Sequence, residues 1–237
     1  PMSCEASSTP IGYLIPEFPG QTHIFFWREL QELRQLGVQP DLVSTRPPDQ
    51  RIQSHEWSRQ AVAQTTYLFP PTAGACVGGL VELLRCGPAG WWRTWKAVCG
   101  AGVQRVSRNL ALALMGANLA ALARRRGWKH LHTHSCADAC LITVFANRIS
   151  GLSYSLTLHG PLHDYGTQQP LKWRHASFAV VITRKLMAEV HAELGSDVPA
   201  TLGPHGYLVT GRRGTVVDTQ ALIEALRSKR VAGAGLD

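Results

Sequence analysis

"KHLHTHSCADACLITVFANRISGLSYSLTLHG", residues 129–160, is the stretch that decides the fold. "KHLHTH" (129–134) has the length of a strand, "ADACLITVFANRIS" is an apolar segment of helical length stopped by Gly151, and "SYSLTLH" (153–159) is a second strand. Two parallel strands need a crossover, and a helix between them supplies it. The unit therefore reads as strand–helix–strand in a parallel sheet.

The same rhythm extends in both directions. "IGYLIP" (11–16) is a buried-strand pattern, followed by the turn "EFPGQ" and a helix with Phe26, Leu30, Leu33 and Leu36 on one face. Gly37 stops that helix, and "DLVST" (41–45) is a second strand ended by Pro47 and Pro48. Residues 49–128 predict a strand at "TTYLFP" (65–70), then helices in "GGLVELLRC", "WWRTWKAVCGAGVQRV" and "SRNLALALMGANLAALARRR". Downstream, "FAVVIT" (178–183) is a strand and "RKLMAEVHAEL" (184–194) a helix. Past the Gly- and Pro-rich "GSDVPATLGPHG" (195–206) come a strand (207–211), a helix (219–229) and a last strand (233–237). The expected class is α/β: a Rossmann-like, mainly parallel sheet flanked by helices, with a C-terminal strand–helix–strand unit.

Composition narrows the partners. The chain has 237 residues, 45% hydrophobic and 17% charged, which is globular rather than disordered. A net charge of +8 points to an anionic neighbour. The cations are dispersed, and the run Arg124–Arg126 reads as the last turn of a helix, so no nucleic acid is expected. Six cysteines form no CxxC pair, and Cys136 and Cys140, four apart as on one helix face, read as buried free thiols in a reducing compartment. No secretory signal is expected from the opening "PMSCEASSTP", and the longest apolar run (109–123) falls short of the ~20 residues that span a bilayer. The expected location is the cytoplasm, with peripheral contact at the inner membrane face. "WWRTWKAV" (91–98) interleaves tryptophan with cations, which suits either a membrane interface or a core helix with exposed charges.

Three loops follow the carboxyl ends of strands, where parallel sheets hold ligands. They are "PEFPGQTH", "HSCAD" and "HGPLHDYG", and they carry His23, His134, and His159 with His163. The first leads into a helix N-terminus, whose free amides favour an anion. His130, His132 and His134 share one side of a strand. Side chains two apart on one strand rarely close a tetrahedron, so packing or hydrogen bonding is expected and no metal. His159 directly follows an apolar strand and precedes a Gly-Pro turn, which sets its imidazole at the ligand edge, or simply caps the strand.

These loops carry a family resemblance. "IGYLIPEFPGQTHIFFWRELQELRQLGVQPDLVSTRPP", "HLHTHSCADACLITVFANRISGLSYSLTLHGPLHDYG" and "FAVVITRKLMAEVHAELG" together resemble the N-terminal domain of family-4 retaining glycosyltransferases, over residues 10–197. The resemblance implies an acceptor-side domain that acts with a nucleotide-sugar donor in exopolysaccharide or lipid-linked glycan synthesis. It implies no cofactor and no dedicated metal. Pro19, Gly20 and His23 would line the cleft, and His134 and Asp138 would border the acceptor pocket. His163 and Asp164 would complete the substrate side, and His159 would be the catalytic group stabilising charge as the glycosidic bond breaks. The acceptor would be a glycan or a lipid-linked glycan. The donor domain is not recognisable here, so the chain alone is expected to be inactive.

The tail resembles a different family. "LGPHGYLVTGRRGTVVDTQALIEALRSKRVAGAGLD" (201–237) is similar to part of the NAD-binding domain of D-isomer-specific 2-hydroxyacid dehydrogenases. By that resemblance Arg213 would hold a substrate carboxylate and Asp237 would contact the nicotinamide carboxamide. Thr210 stands where the family usually has asparagine and Arg212 where it has a small residue. The family's catalytic glutamate and histidine are not found, and no GxGxxG occurs. The sequence therefore favours a glycosyltransferase-like body joined to a dehydrogenase-like tail, as in a recombinant chain, a designed chimera or a joined reading frame. An NAD-dependent dehydrogenase fragment is the alternative, and a non-enzymatic module binding a glycan or a partner is a further one.

Overall fold

The computed structural model describes residues 10–20, 22–48 and 56–195, with the backbone of 207–210 and 233–236. Eight strands form one parallel sheet: β1 (Pro10–Ile15), β2 (Gln39–Ser44), β3 (Thr66–Tyr67), β4 (His130–His134), β5 (Ser153–Leu158), β6 (Phe178–Val181), β7 (Tyr207–Thr210) and β8 (Gly233–Leu236). Their order is β3-β2-β1-β4-β5-β6-β7-β8, and every pairing is parallel. The α/β, Rossmann-like class is therefore as expected. The order reverses direction between β1 and β4, so a crevice opens there beyond the strand ends.

Helices α1 (Ile24–Gln35) and α2 (Glu56–Gln64) cover one side of the sheet. Tyr13, Ile15 and Leu42 alternate onto that side and pack with Phe26, Trp27, Leu30 and Ala61. Leu14, Val43, Leu131, Tyr154, Leu156 and Leu158 point the other way into a larger core. That core is covered by α4 (Gly87–Gly100), α5 (Val106–Arg126), α6 (Asp138–Ser150) and α8 (Arg184–Leu194). α3 (Ala73–Arg85) packs on the outside of α5, and the short α7 (Gln169–Trp173) brings Trp173 into the core.

The 65–70 strand shortens to two residues, since Pro70 and Pro71 have no amide to offer a ladder. α2, whose residues show no clear apolar period, fills the segment before it. The single helix expected over 91–106 begins earlier, at Gly87 with Pro88 in its first turn, and ends at Gly100. A 3-10 turn at Val103–Arg105 then leads into α5. β6 stops at Val181 rather than 183, because Thr183 turns to cap α8, its hydroxyl accepting the Leu186 amide at 3.2 Å. Cys136 and Cys140 are buried free thiols, as their spacing led us to expect, whereas Cys76 is exposed and Cys86 and Cys99 are partly so. The expected tail helix (219–229) and the boundary segment beyond residue 195 lie outside the described residues.

Candidate functional site

The switch between β1 and β4 opens a cavity of about 720 Å³. Ile15 and Pro16 enter it from the end of β1, Ser135 from β4, and Ile182 from β6. α1 contributes Phe25, Phe26 and Glu29, preceded by His23. His134 and His159 form the floor, with Tyr165 beside them. Three of the four histidines expected from the loops thus meet in one place, brought together by the parallel register of β4 and β5, in which His134 pairs with Thr157.

His134 Nδ1 lies 2.8 Å from His159 Nε2, and the rings stack with centroids 5.1 Å apart. The edge of Phe26 meets both rings, and Tyr13 lies 4.5 Å from His134. Burial holds the His134 imidazole well below its usual pKa, with His132, His159 and His23 adding to the effect. His159 is pushed down to about 4, by burial first and then by His23. Both rings are therefore neutral near pH 7, and the bond between them has one donor and one acceptor. His134 Nε2 is buried with no hydrogen-bond partner, and the nearest carboxylate oxygen, of Glu29, is 4.0 Å away. Burial raises the Glu29 carboxyl, opposed by Tyr13. Tyr13 Oη faces that carboxylate without reaching hydrogen-bond geometry, and burial, aided by Glu29, pushes the phenol far above its usual range. An aromatic wall with convergent, unsatisfied polar atoms is the composition of a small-molecule site.

His23 plays a more local part. Its Nδ1 accepts the Gly20 amide at 3.0 Å, and its ring stacks on Phe18. The Phe18 amide is taken by Ser44 Oγ at 2.9 Å, and its carbonyl accepts the Tyr67 hydroxyl at 3.2 Å. Pro19 and Gly20 line a separate cavity of about 520 Å³ with Glu17 and Arg46. A Cβ added at Gly20 would meet the His23 ring at 2.8 Å, so this glycine makes room for its own neighbour, not for a ligand. Among the described residues of this loop, the Phe18 and Gly20 amides are thus already bonded within the protein.

The other expected residues lie apart. Asp138, in the first turn of α6, pairs with Arg108 and lines a neighbouring cavity of about 410 Å³. His163 and Asp164 are exposed and pair with each other at 3.3 Å. Arg213 and Asp237 lie outside the described residues. His130 and His132 bond to hydroxyls of β5, as the packing alternative anticipated: His130 to Ser153 (2.9 Å) and Ser155 (2.7 Å), His132 to Ser155 (2.7 Å) and Thr157 (2.9 Å). Among the described residues no cluster of three potential metal ligands forms. Sequence reading missed Tyr13, Phe25, Phe26, Glu29 and Tyr165. The signals were the alternation of Tyr13 with Ile15 in β1, and the spacing of Phe25, Phe26 and Glu29 on one turn of α1.

Comparison with known proteins moves the functional reading. Residues 163–237 match the family described as "D-isomer specific 2-hydroxyacid dehydrogenase, NAD binding domain". A 2-ketogluconate reductase of Gluconobacter oxydans is 58% identical over 41 residues, 17% of this chain and 13% of that protein. A glyoxylate/hydroxypyruvate reductase B of Enterobacter agglomerans is 41% identical over 56 residues, 24% of this chain and 17% of that protein. This chain therefore spans less than a fifth of the length of either relative. The D-mandelate dehydrogenase structure of Rhodotorula graminis aligns over 96% of this chain and 81% of that one, at 14% identity and a TM-score of 0.29, too low to carry an argument.

These matches overturn the glycosyltransferase expectation, and with it the transferase class, the exopolysaccharide role and the nucleotide-sugar co-substrate. The expectation of no cofactor is corrected too, because the matched family is a NAD-binding domain. The likeness begins at residue 163 rather than 201, so it takes in "FAVVITRKLMAEVHAELG", which the transferase resemblance had claimed. The physical reason for the error is that strand–loop–helix units with polar residues at the strand ends are common to many α/β activities. Residues 163–237 are thus similar to the NAD-binding domain of D-isomer specific 2-hydroxyacid dehydrogenases.

Proposed function

We propose that this chain belongs to NAD(P)-dependent oxidoreduction of 2-hydroxy acids, and that residues 163–237 are the part that meets the nicotinamide and the acid. The family match over those residues carries the reading. The parallel succession β6-β7-β8 supports it, since a dinucleotide-binding sheet grows outward by such neighbours. Arg213 would hold the carboxylate of a 2-oxo acid as a bidentate ion pair, and Asp237 would face the carboxamide. The Phe18 and Gly20 amides of the β1–α1 loop are already bonded within the protein, so the proposal rests on residues 163–237 and assigns that loop no part.

Titration with NADH and with NADPH, read by energy transfer from tryptophan to the nicotinamide, tests the reading. The expected result is a saturable signal reversed by excess oxidised cofactor. Glyoxylate, the substrate class named for the relatives, should tighten it, and Arg213→Gln should abolish that tightening. No saturable transfer with either cofactor overturns the proposal.

A further inference from the structure

The α3–α4 flank is built the wrong way round for water. In α3 the inward face carries Gly78, Gly79 and Glu82, and the Glu82 carboxylate is only 3% exposed. It is held by Arg124 through two bonds, at 2.6 and 2.8 Å. Val77, Leu80, Val81 and Leu84 instead form a stripe of helical spacing on the outside, Leu84 being 70% exposed. In α4, Gly90, Thr94, Ala97 and Val98 are buried, while Trp91, Trp92 and Trp95 are about half exposed. α5 adds Leu110 and Leu114. Exposed apolar side chains gathered on helices that pack against one another mark an interaction site.

The charge of the flank says what it meets. From Ala73 to Arg126 the sequence has eight basic residues and a single acid, the buried Glu82. Beside the tryptophans, a cavity of about 360 Å³ is lined by Arg93, Lys96, Arg148 and Arg174, with no carboxylate in its wall. Among the described residues none of the four makes an ion pair. Arg148 Nε is buried without a hydrogen-bond partner, and Arg93 donates to the Arg148 carbonyl at 3.5 Å, which holds the two cations close. Burial lowers the Arg148 guanidinium, Tyr154 opposes this, and Arg93 and Arg174 lower it further. Like charges gathered around an unsatisfied donor are a site for an anion. Lys96 also lies 5.0 Å above the Trp92 ring, so cation and apolar surface share one helix face.

We propose that the α3–α4 flank docks on an anionic phospholipid bilayer, with Arg93, Lys96, Arg148 and Arg174 taking the phosphate of one lipid headgroup. Trp91, Trp92 and Trp95 sit at the headgroup level and the α3 stripe enters the acyl boundary, as interfacial helices do. α5, whose length and composition alone would let it cross a membrane, is 56% buried over its most apolar window and serves as a core helix beneath this surface. The proposal is independent of the oxidoreductase reading.

Vesicle co-sedimentation tests it, using neutral phosphatidylcholine alone and with roughly a third of phosphatidylglycerol. The expected result is binding to the anionic vesicles only, weakened by salt, with a blue shift of tryptophan emission. Arg93→Gln with Arg174→Gln should weaken it by roughly fivefold per charge, or about 25-fold together. Trp92→Ala with Trp95→Ala should weaken binding and reduce the blue shift to what Trp91 contributes. Both pairs are surface changes, and circular dichroism checks that each variant is folded. Equal binding to neutral vesicles overturns the headgroup site. Full competition by inorganic phosphate makes the cavity a free-phosphate site and overturns docking. Absence of sedimentation, with concentration-dependent dimers instead, assigns the face to a second copy and also overturns it.

Discussion

The two faces of the central strands are made of different material. On one face Leu131, Tyr154, Leu156, Ala179 and Val181 lie under α5 and α6 in a dry core. On the other, His130, His132 and His134 stand opposite Ser153, Ser155 and Thr157, residue against residue in the parallel register. Phe178 stacks over His130 and His132 with interplanar angles of 9° and 18°. Alternation along each strand puts the two chemistries one residue apart. The dry face holds by area and close packing, whereas the polar face depends also on the hydrogen bonds of its imidazoles. The two should therefore fail under different conditions.

Acid separates them by the largest margin. Burial lowers His130 to about 4, His132 to about 3 and His159 to about 4, and holds His134 well below its usual range. An unfolded histidine titrates near 6.5. Between pH 6.5 and about 4 the unfolded chain binds protons that the folded chain refuses, so stability is complete above pH 6.5 and falls as the pH drops through that window. Glu29, raised by burial, works in the opposite direction and offsets part of this. Urea midpoints measured from pH 7.5 to 4.5 should decline with an uptake of several protons. A flat profile would mean that the polar face is not sealed in solution.

A change on the dry side comes next in size. Gly116 of α5 lies so close to α6 that an added Cβ would meet Phe145 Cβ at 2.7 Å and the Ile142 carbonyl at 2.9 Å. Backbone cannot yield as a side chain tip can, so Gly116→Val must push the helices apart. A loss of about 3 kcal/mol is expected, independent of pH between 6.5 and 8. An unfolding midpoint within error of the parent protein would show that the helices are not in contact at this point.

The difference between the faces also explains what could be read in advance. Elements with one clear periodicity were legible: β4, α6 and β5 follow from alternation, helical spacing and the Gly151 stop. Even the imidazole–hydroxyl ladder is written in "HLHTH" against "SYSLT", once the two strands are placed in register. α2 was not legible, because its nine polar-rich residues bury only Ser58 and Ala61 and leave almost no apolar period. α3 was legible as a helix but not in orientation, since its apolar stripe faces outward and its carboxylate inward. At the site, histidines stood out at strand ends while Phe25 and Glu29 did not, because they reach the cavity from α1. The function misread had the same origin: the loops specify a sheet edge, and a sheet edge serves many chemistries.

Ser155 offers the finest cut between the faces, with the smallest expected effect. Its hydroxyl is fully buried and sits 2.7 Å from both His130 Nε2 and His132 Nδ1. Removing one oxygen with Ser155→Ala leaves two buried ring nitrogens without that partner, at a cost of about 2 kcal/mol. No comparable volume is lost, so a packing account alone predicts almost nothing. A double-mutant cycle with His132→Phe separates the two views. If the hydroxyl matters through its hydrogen bonds, Ser155→Ala costs much less once the second ring nitrogen is gone, and a coupling of about 1 kcal/mol appears. Strict additivity would mean that the ladder is held by Phe178 stacking and burial, and that the two faces of the sheet are less different than their chemistry suggests.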